Sequence, residues 1–430
     1  MKFIENVETE RYRQFASACP INHYVKMPEY VEAMKPGFFA YDLLGVEDDE
    51  GNLIGTALMV HRRNTKPSLQ YSYIPRGFNI NDLENRELIR FFAKNLGEFA
   101  KKKGSVFLRM DPDIARVEHE KNGRIKEGGF DHEYIREIFE ECGYDHLGYP
   151  YGYGVTWLHR YTMQLNLDRP WKEIKKGIKR CSQYQSKNEL RAVKVRPGTR
   201  EELHILADSQ DQLSHKLGFK PRTAAYWEKF YDTYGDAVHY YIVTINYHEA
   251  ILNMQKKIDE DEAHLKVMKD ENKMEPIRKN IEAMRKEIEE IKALNLDVDE
   301  DIPYGAKFII MVGDHVWNMN MYTKKTSMYN FRCAFALHMY ALEELYKAGA
   351  KLYDFEGISG SLDPKDPYYG MFDFKRSFGG DFIEYLGEFD YVCSRSRYNL
   401  WKASSKMKSS LRHTVNYIFN HRNPDTSAEN

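Results

Sequence analysis

The chain has 430 residues, 42% hydrophobic and 30% charged, enough to bury a sizeable core and too apolar for global disorder. Its formal net charge of −2 excludes a whole-protein electrostatic grip on nucleic acid or anionic lipid, so any such partner has to be met by a local patch. The five cysteines (Cys19, Cys142, Cys181, Cys333 and Cys393) form no C-x-x-C pair, which argues against a zinc site or a disulfide scaffold and suits a reducing compartment.

MKFIENVETE lacks the apolar core of a signal peptide, and no apolar run approaches the ~20 residues that span a bilayer. The expectation is a cytosolic protein, at most peripheral at the inner face of the plasma membrane. YDLLGVEDDEGNLIGTALMVHRR reads as a β-hairpin around an acidic turn with Gly51. An amphipathic helix follows, ENRELIRFFAKNLGEFAKKKG, closing on Gly104, then the strand SVFLRMDPD. The stretch WKEIKKGIKRCSQYQSKNELRAVKVR, 171–196, is rich in cations and poor in acids. Lys175, Lys176, Lys179 and Arg180 suit a phosphate backbone, and an ordinary solvated helix face is the plainer reading. Arg222 and Tyr226 are four residues apart and share a face if that segment is helical, a pairing that can clamp a phosphate or carboxylate.

A second strand pair then appears, AVHYYIVTIN with YGAKFIIMVGDHVWNMNMYT, followed by the helix FRCAFALHMYALEELYKAGA and the strand KLYDFEGI. Asp111 and Asp354 fall near the ends of corresponding strands. This predicts an α/β (α+β) domain occurring twice, unless two ordinary hairpin–helix–strand units merely look alike. Between the strands of the second pair, 248–296 is strongly charged with heptad-spaced apolar residues: Ile251, Ile258 and Leu265, then Met254 and Met268 in a row broken at Asp261. Ile277, Ile281, Met284, Ile288 and Ile291 form the returning series, with Pro276 expected in the first turn of the second helix. An antiparallel helical hairpin results, either a solvated insertion or an arm that touches a large partner. The tail beyond 393 is basic, with Leu400, Trp401, Leu411, Val415, Ile418 and Phe419 interspersed. It suits a helix resting on an anionic surface, or one that packs and turns its basic face to solvent.

No G-x-x-x-x-G-K-[ST] loop, G-x-S-x-G elbow or H-E-x-x-H helix is present, and KMKSS at 406–410 lacks the partner motif of a synthetase ATP loop. No metal ligand set and no cofactor motif stands out. FKRSFGGDFIEYLG, 374–387, sets Lys375 and Arg376 among aromatics ahead of the pair Gly379–Gly380, which suits a turn or close backbone approach.

VKMPEYVEAMK, YSYIPRGF, VFLRMDPDI, the charged helical hairpin, and LYDFEGISG followed by FDFKRSFGGDFIEYLGEFDYV carry a resemblance. Over about residues 1–400 the chain resembles the Fem family of peptidoglycan-bridge aminoacyltransferases. The resemblance implies two tandem acetyltransferase (GNAT)-like subdomains with an inserted coiled-coil arm. The expected division is 1–145 for the first subdomain, 146–247 with 297–392 for the second, 248–296 for the arm and 393–430 for the tail. It also implies transfer of Gly, Ala or Ser from aminoacyl-tRNA to the stem peptide of a cell-wall precursor, without a cofactor. Lipid II or the soluble UDP-MurNAc-pentapeptide is the acceptor, with a homodimer or a sister-enzyme heterodimer as the assembly. No [RQ]-x-x-G-x-[GA] loop for an acyl-CoA pyrophosphate is visible, which argues against an ordinary acetyltransferase. An inactive RNA-binding scaffold is the rival of another class.

Carried over by resemblance, Lys35, Arg222, Tyr226 and Tyr322 bind the precursor and Asp111 lines the acceptor groove, orienting the acceptor amine or taking its proton. Phe374 and Lys375 match a Phe–Lys pair at the donor site: the ring stacks on the terminal adenine and the cation stabilises the developing oxyanion or the departing ribose oxygen. SLDPKDPYYG, between Ile358 and Met371, departs from the family pattern and reshapes the groove.

Overall fold

Alternation along a strand sends neighbouring side chains to opposite faces, and the long strands here are apolar on both faces, so each sheet must be covered twice. The computed structural model describes residues 1–35, 37–65, 68–153, 155–217, 221–324 and 332–404. Its first sheet holds β1 (Lys2–Ile4), β2 (Ala40–Glu47), β3 (Leu53–Thr65), β4 (Ser68–Ile74), β5 (Asn79–Ile80), β6 (Phe107–Met110) and β7 (Tyr144–His146). The second holds β8 (Tyr161–Asn166), β9 (Val193–Pro197), β10 (Val238–Asn246), β11 (Asp301–Val312), β12 (His315–Thr323), β13 (Leu352–Ile358) and β14 (Asp381–Glu384). On β3, Ala57 and Met59 enter one core while Leu58 and Val60 enter another. On β10, Tyr241 and Val243 likewise part from Tyr240 and Ile242. The middle core, with Leu58, Val60, Tyr240 and Ile242, is shared by the two sheets.

Helices α1 (Thr9–Ala18) and α2 (Pro28–Met34) open the first half, and α3 (Arg86–Lys102) and α4 (Glu133–Glu141) cover its outer face. α3 starts where Asn85 accepts the Leu88 N–H at 3.0 Å, and it buries Leu88, Ile89, Phe92, Leu96 and Phe99 at helical spacing. In the second half come α5 (Trp171–Gly177), α6 (Cys181–Leu190), α7 (His204–Leu217) and α8 (Ala224–Tyr234). α9 (Tyr247–Val267) and α10 (Glu271–Ala293) form the arm, and α11 (Cys333–Lys347) and α12 (Tyr369–Arg376) complete the set. Both halves contain one parallel strand pair, β4 with β6 and β12 with β13, each joined through a helix, α3 or α11. The molecule is the mixed α/β fold expected: two halves, each built on a sheet with one helix-joined parallel strand pair, and an inserted helical arm.

Three details differ from the sequence expectations. The last strand, β15 (Phe389–Val392), does not join the second half; it lies between β6 and β7 in the first sheet. In the second sheet the matching slot, beside the parallel strand β13, is filled by β8. Nothing local in Phe389–Val392 marks which sheet will accept it, so the sequence order alone assigns it to the second half. Next, α10 begins at Glu271, capped by Asp270, so Pro276 sits inside the helix and not in its first turn. Lastly, the buried row of α9 runs Ala250, Met254, Ile258, with Ile251 and Leu265 at its margin. The tail is helical over 395–404, where Tyr398 and Trp401 pack on Phe107. Leu411, Val415, Ile418, Phe419 and KMKSS lie outside the described residues.

Candidate active site

β13 is where the second sheet is deformed. Its register against β8 shifts between Asp354 and Gly357, and Glu356 adopts φ +61°, a left-handed conformation rare for a residue with a Cβ. The bulge turns two successive carbonyls, those of Glu356 and Gly357, onto the Lys375 ammonium, each at 2.7 Å. Lys375 is 8% exposed, and two of its three donors are thus committed. Burial pulls its pKa down to about 8, against the opposing pull of Glu356 and Asp354. Asp354 is fixed by the Thr162 hydroxyl, by Gln164 Nε2 at 2.9 Å and by the Glu356 N–H at 2.6 Å.

The first half contributes the other carboxylate. Asp111, 4% exposed just past β6, accepts from the Tyr73 hydroxyl at 2.8 Å and from the Arg76 N–H at 2.7 Å. Burial raises its pKa to about 7 although Arg76 stands beside it. Arg76 also has a left-handed backbone, φ +57°. Its guanidinium crosses to the second half, donating to the His159 carbonyl at 2.9 Å and meeting His159 Nε2 at 2.8 Å, with the Tyr385 ring 4.8 Å beneath it. Tyr385 reaches Asp354 at 3.5 Å. One buried arginine therefore links Asp111, through His159 and Tyr385, to the strand that holds Lys375.

The remaining sequence-predicted residues fall into two groups. α2 packs against α8, which brings Lys35, at the end of α2, to α8: the Lys35 carbonyl accepts from Lys229 Nζ at 2.6 Å. The Lys35 ammonium itself is paired with Glu32 at 2.7 Å and is exposed. The Arg222 guanidinium lies 4.6 Å from the Tyr226 ring, although Arg222 precedes Thr223, the N-cap of α8, so the two meet without sharing a helical face. Tyr30 connects this group to Asp111, since Tyr226, Arg62, Asp111 and Arg222 all act on its buried phenol. Tyr322, on β12, keeps a buried hydroxyl that has no hydrogen-bond partner among the described residues, and burial pushes it up to about 12.

In the second group, Phe374, Lys179 and Arg180 line one cavity of about 440 Å³ at the start of α11, together with Tyr184, Arg332 and Ser377. The Lys179 N–H donates to the Ser377 carbonyl at 2.8 Å, so α5–α6 and the segment after α12 are joined there. Gly379 serves the same junction: its φ is +82°, and a Cβ would come 3.1 Å from the Gly177 carbonyl oxygen. Lys175 and Lys176, on α5, do not line the cavity. The basic run divides: Arg191 is buried on Glu287 of the arm, and Arg196 and Lys194 are paired with Glu202 and Glu249. Among the described residues, Lys175, Lys176, Lys179 and Arg180 have no carboxylate within ion-pairing distance, and no cluster of His, Cys, Asp or Glu is arranged to hold a metal. SLDPKDPYYG lends Ser361, Leu362 and Asp366 to a second cavity of about 520 Å³, which His119 and Glu384 also line.

Tyr73, Arg76, His159, Glu356 and Tyr385 were not singled out by sequence, although YSYIPRGF, LYDFEGISG and FIEYLGEFD contain four of them. No helix among the described residues is long and apolar enough to cross a membrane.

The FemAB family model matches residues 7–406. An aminoacyltransferase FemA of Staphylococcus epidermidis is 26% identical over 433 residues, spanning 95% of this chain and 100% of that protein. One from Staphylococcus aureus is 24% identical, spanning 96% and 100%. The crystal structure of FemX aligns over 93% of this chain and 99% of its own with a TM-score of 0.72 at 21% identity. With its two halves, its arm and a family match that runs through both, the chain belongs to the FemAB family and is an aminoacyltransferase.

Proposed function

We propose that the enzyme moves an amino acid from aminoacyl-tRNA to the stem-peptide amine of a peptidoglycan precursor, lipid II in the first instance, and so builds the interpeptide bridge. The observation that carries this reading is the Arg76 bridge. It sets Asp111, on the side of Lys35, Arg222 and Tyr226, against the strand whose carbonyls hold Lys375, on the side of Phe374, Lys179 and Arg180. An aminoacyl ester is already activated, so neither ATP nor a covalent enzyme intermediate is required; what remains is to position a neutral amine and stabilise the oxyanion. The third Lys375 donor supplies that charge. Phe374 stacks on the terminal adenine while Lys179 and Arg180 take the 3′-end phosphates, with Lys175 and Lys176 meeting the backbone farther out. Lys35, Arg222, Tyr226 and Tyr322 hold the precursor, and Asp111 orients the acceptor amine.

The test is incubation of the full chain with tRNA charged with radiolabelled Gly, Ala or Ser and with lipid II. Label entering the lipid fraction is the expected result. Label entering only UDP-MurNAc-pentapeptide moves the acceptor to the soluble precursor, and no transfer with any charged tRNA overturns the reading.

A further inference from the structure

Glu356 has no part in the scheme above, yet its surroundings are unusual for a carboxylate. Its Oε2 lies 3.1 Å from His159 Nε2, and that same nitrogen is 2.8 Å from Arg76 Nη2. A guanidinium can only donate, so Nε2 must offer its lone pair to Arg76 and the ring proton must reside on Nδ1. An ionised carboxylate oxygen would then face a nitrogen lone pair, oxygen electrons against nitrogen electrons. Protonating Glu356 removes that repulsion, and its O–H then shares the Nε2 lone pair with Arg76 in a three-centre bond. Its other oxygen, Oε1, is buried with no hydrogen-bond partner among the described residues, an unmet acceptor that an amine N–H of a bound ligand would fill. The side chain as a whole retains 16% exposure. Its own backbone carbonyl is one of the two that hold Lys375.

We propose that Glu356 is kept as a neutral carboxylic acid beside Lys375 and moves protons between the attacking amine and the departing ribose oxygen. The proposal rests on the aminoacyl-transfer reading. The neutral amine bonds to the ester carbon, and the carbon–oxygen bond to the ribose breaks with its electron pair on oxygen. Glu356 gives its proton to that oxygen. The carboxylate so formed takes one proton from the new carbon–nitrogen centre, leaving a neutral amide and restoring the acid. No other reactant is consumed.

The groups facing the carboxyl are Asp354 on the same strand, Lys375 from α12, Arg76 and His159, and the phenols of Tyr24, Tyr153 and Tyr385. Burial and then Asp354 raise the Glu356 pKa to about 8 against the opposing pull of Arg76 and Lys375, and burial with Arg76 keeps His159 neutral. A carboxylic acid held neutral by an apolar site can donate a proton near neutral pH.

Glu356→Gln preserves shape and hydrogen-bonding capacity while removing the transferable proton. In the full chain, a kcat lowered by ~10²-fold or more with KM within about twofold is expected, in the range of general acid–base contributions. An infrared difference spectrum of wild type against Glu356→Gln at neutral pH is expected to contain the carbonyl stretch of a protonated carboxylic acid, disappearing as pH passes about 8. The infrared measurement needs no turnover, so it separates this proposal from the functional reading. Absence of the band overturns the neutral acid, and a Glu356→Gln enzyme with wild-type kcat overturns the proton transfer. Wild-type protein that transfers nothing defeats the functional reading and the catalytic role with it, whatever the spectrum contains.

Discussion

Lys375 is a cation placed where burial disfavours charge, held there by carbonyl dipoles and, among the described residues, by no direct carboxylate contact. Such an arrangement leaves its charge available to a transition state that carries an oxyanion. Lys375→Ala is expected to cut kcat by ~10²-fold or more in the transfer assay, the scale of losing one preorganised donor. A rate near wild type would remove it from the reacting centre. Asp111 makes a different prediction, in stability. Its pKa rises on folding from an ordinary 3.8 to about 7, so across that window the folded chain holds a proton that the unfolded chain has released. Stability from this group is therefore lost as pH climbs from 3.8 to 7. Asp111→Asn removes the slope, and the stability of wild type relative to the variant, followed by urea midpoints at stepped pH, is expected to decline over that range. Asp111 was legible in sequence as the acid that ends a strand. Arg76 and His159 were not, because the two lie 83 residues apart and their meeting is made by tertiary structure alone.

At the scale of elements, the arm was the most legible feature, since heptad spacing survives any context. Its attachment was hidden. Arg191 and Glu287, 96 residues apart, form a two-pronged pair at 2.8 Å, with the two side chains 8% and 5% exposed. Read from sequence, Arg191 was one more cation of a basic run; in the fold it fastens α6 to α10. Removing one partner of such a pair strands a buried charge, while replacing both with apolar residues is often nearly neutral. Glu287→Met, which leaves the Arg191 guanidinium buried without its carboxylate, is expected to cost about 3 kcal/mol in urea unfolding, and Arg191→Met with Glu287→Met to recover most of it. A single variant as stable as wild type would mean that the arm is held without this pair. The bulge in β13 was equally illegible, because Phe355 and Glu356 carry no bulge signature and the left-handed Glu356 is imposed by the strands around it.

For the whole molecule, the two repeated halves were visible in sequence and their boundary was not. β15 completes the first sheet from the far end of the chain, and Arg109 fixes it there with two 2.7 Å bonds to Asp390. A fragment ending at residue 145 cuts β7 short and exposes the edge of β6 that β15 covers in the intact protein, and such edges aggregate. The 1–145 fragment is expected to be insoluble by itself and to become soluble when co-expressed with the remainder, as read by co-purification. A well-folded 1–145 monomer, judged by circular dichroism and sedimentation, would contradict this.

That borrowed strand also sets a clock. On a ribosome adding about 5–20 residues per second, β6 and β7 emerge tens of seconds before Phe389–Val392. For that interval the nascent first half has most of its apolar surface and an open seam in its sheet, and intramolecular closure must wait until Phe389–Val392 has been made. The cell is therefore asked to shelter an unfinished sheet while the second half is being made, and slower translation lengthens the exposure.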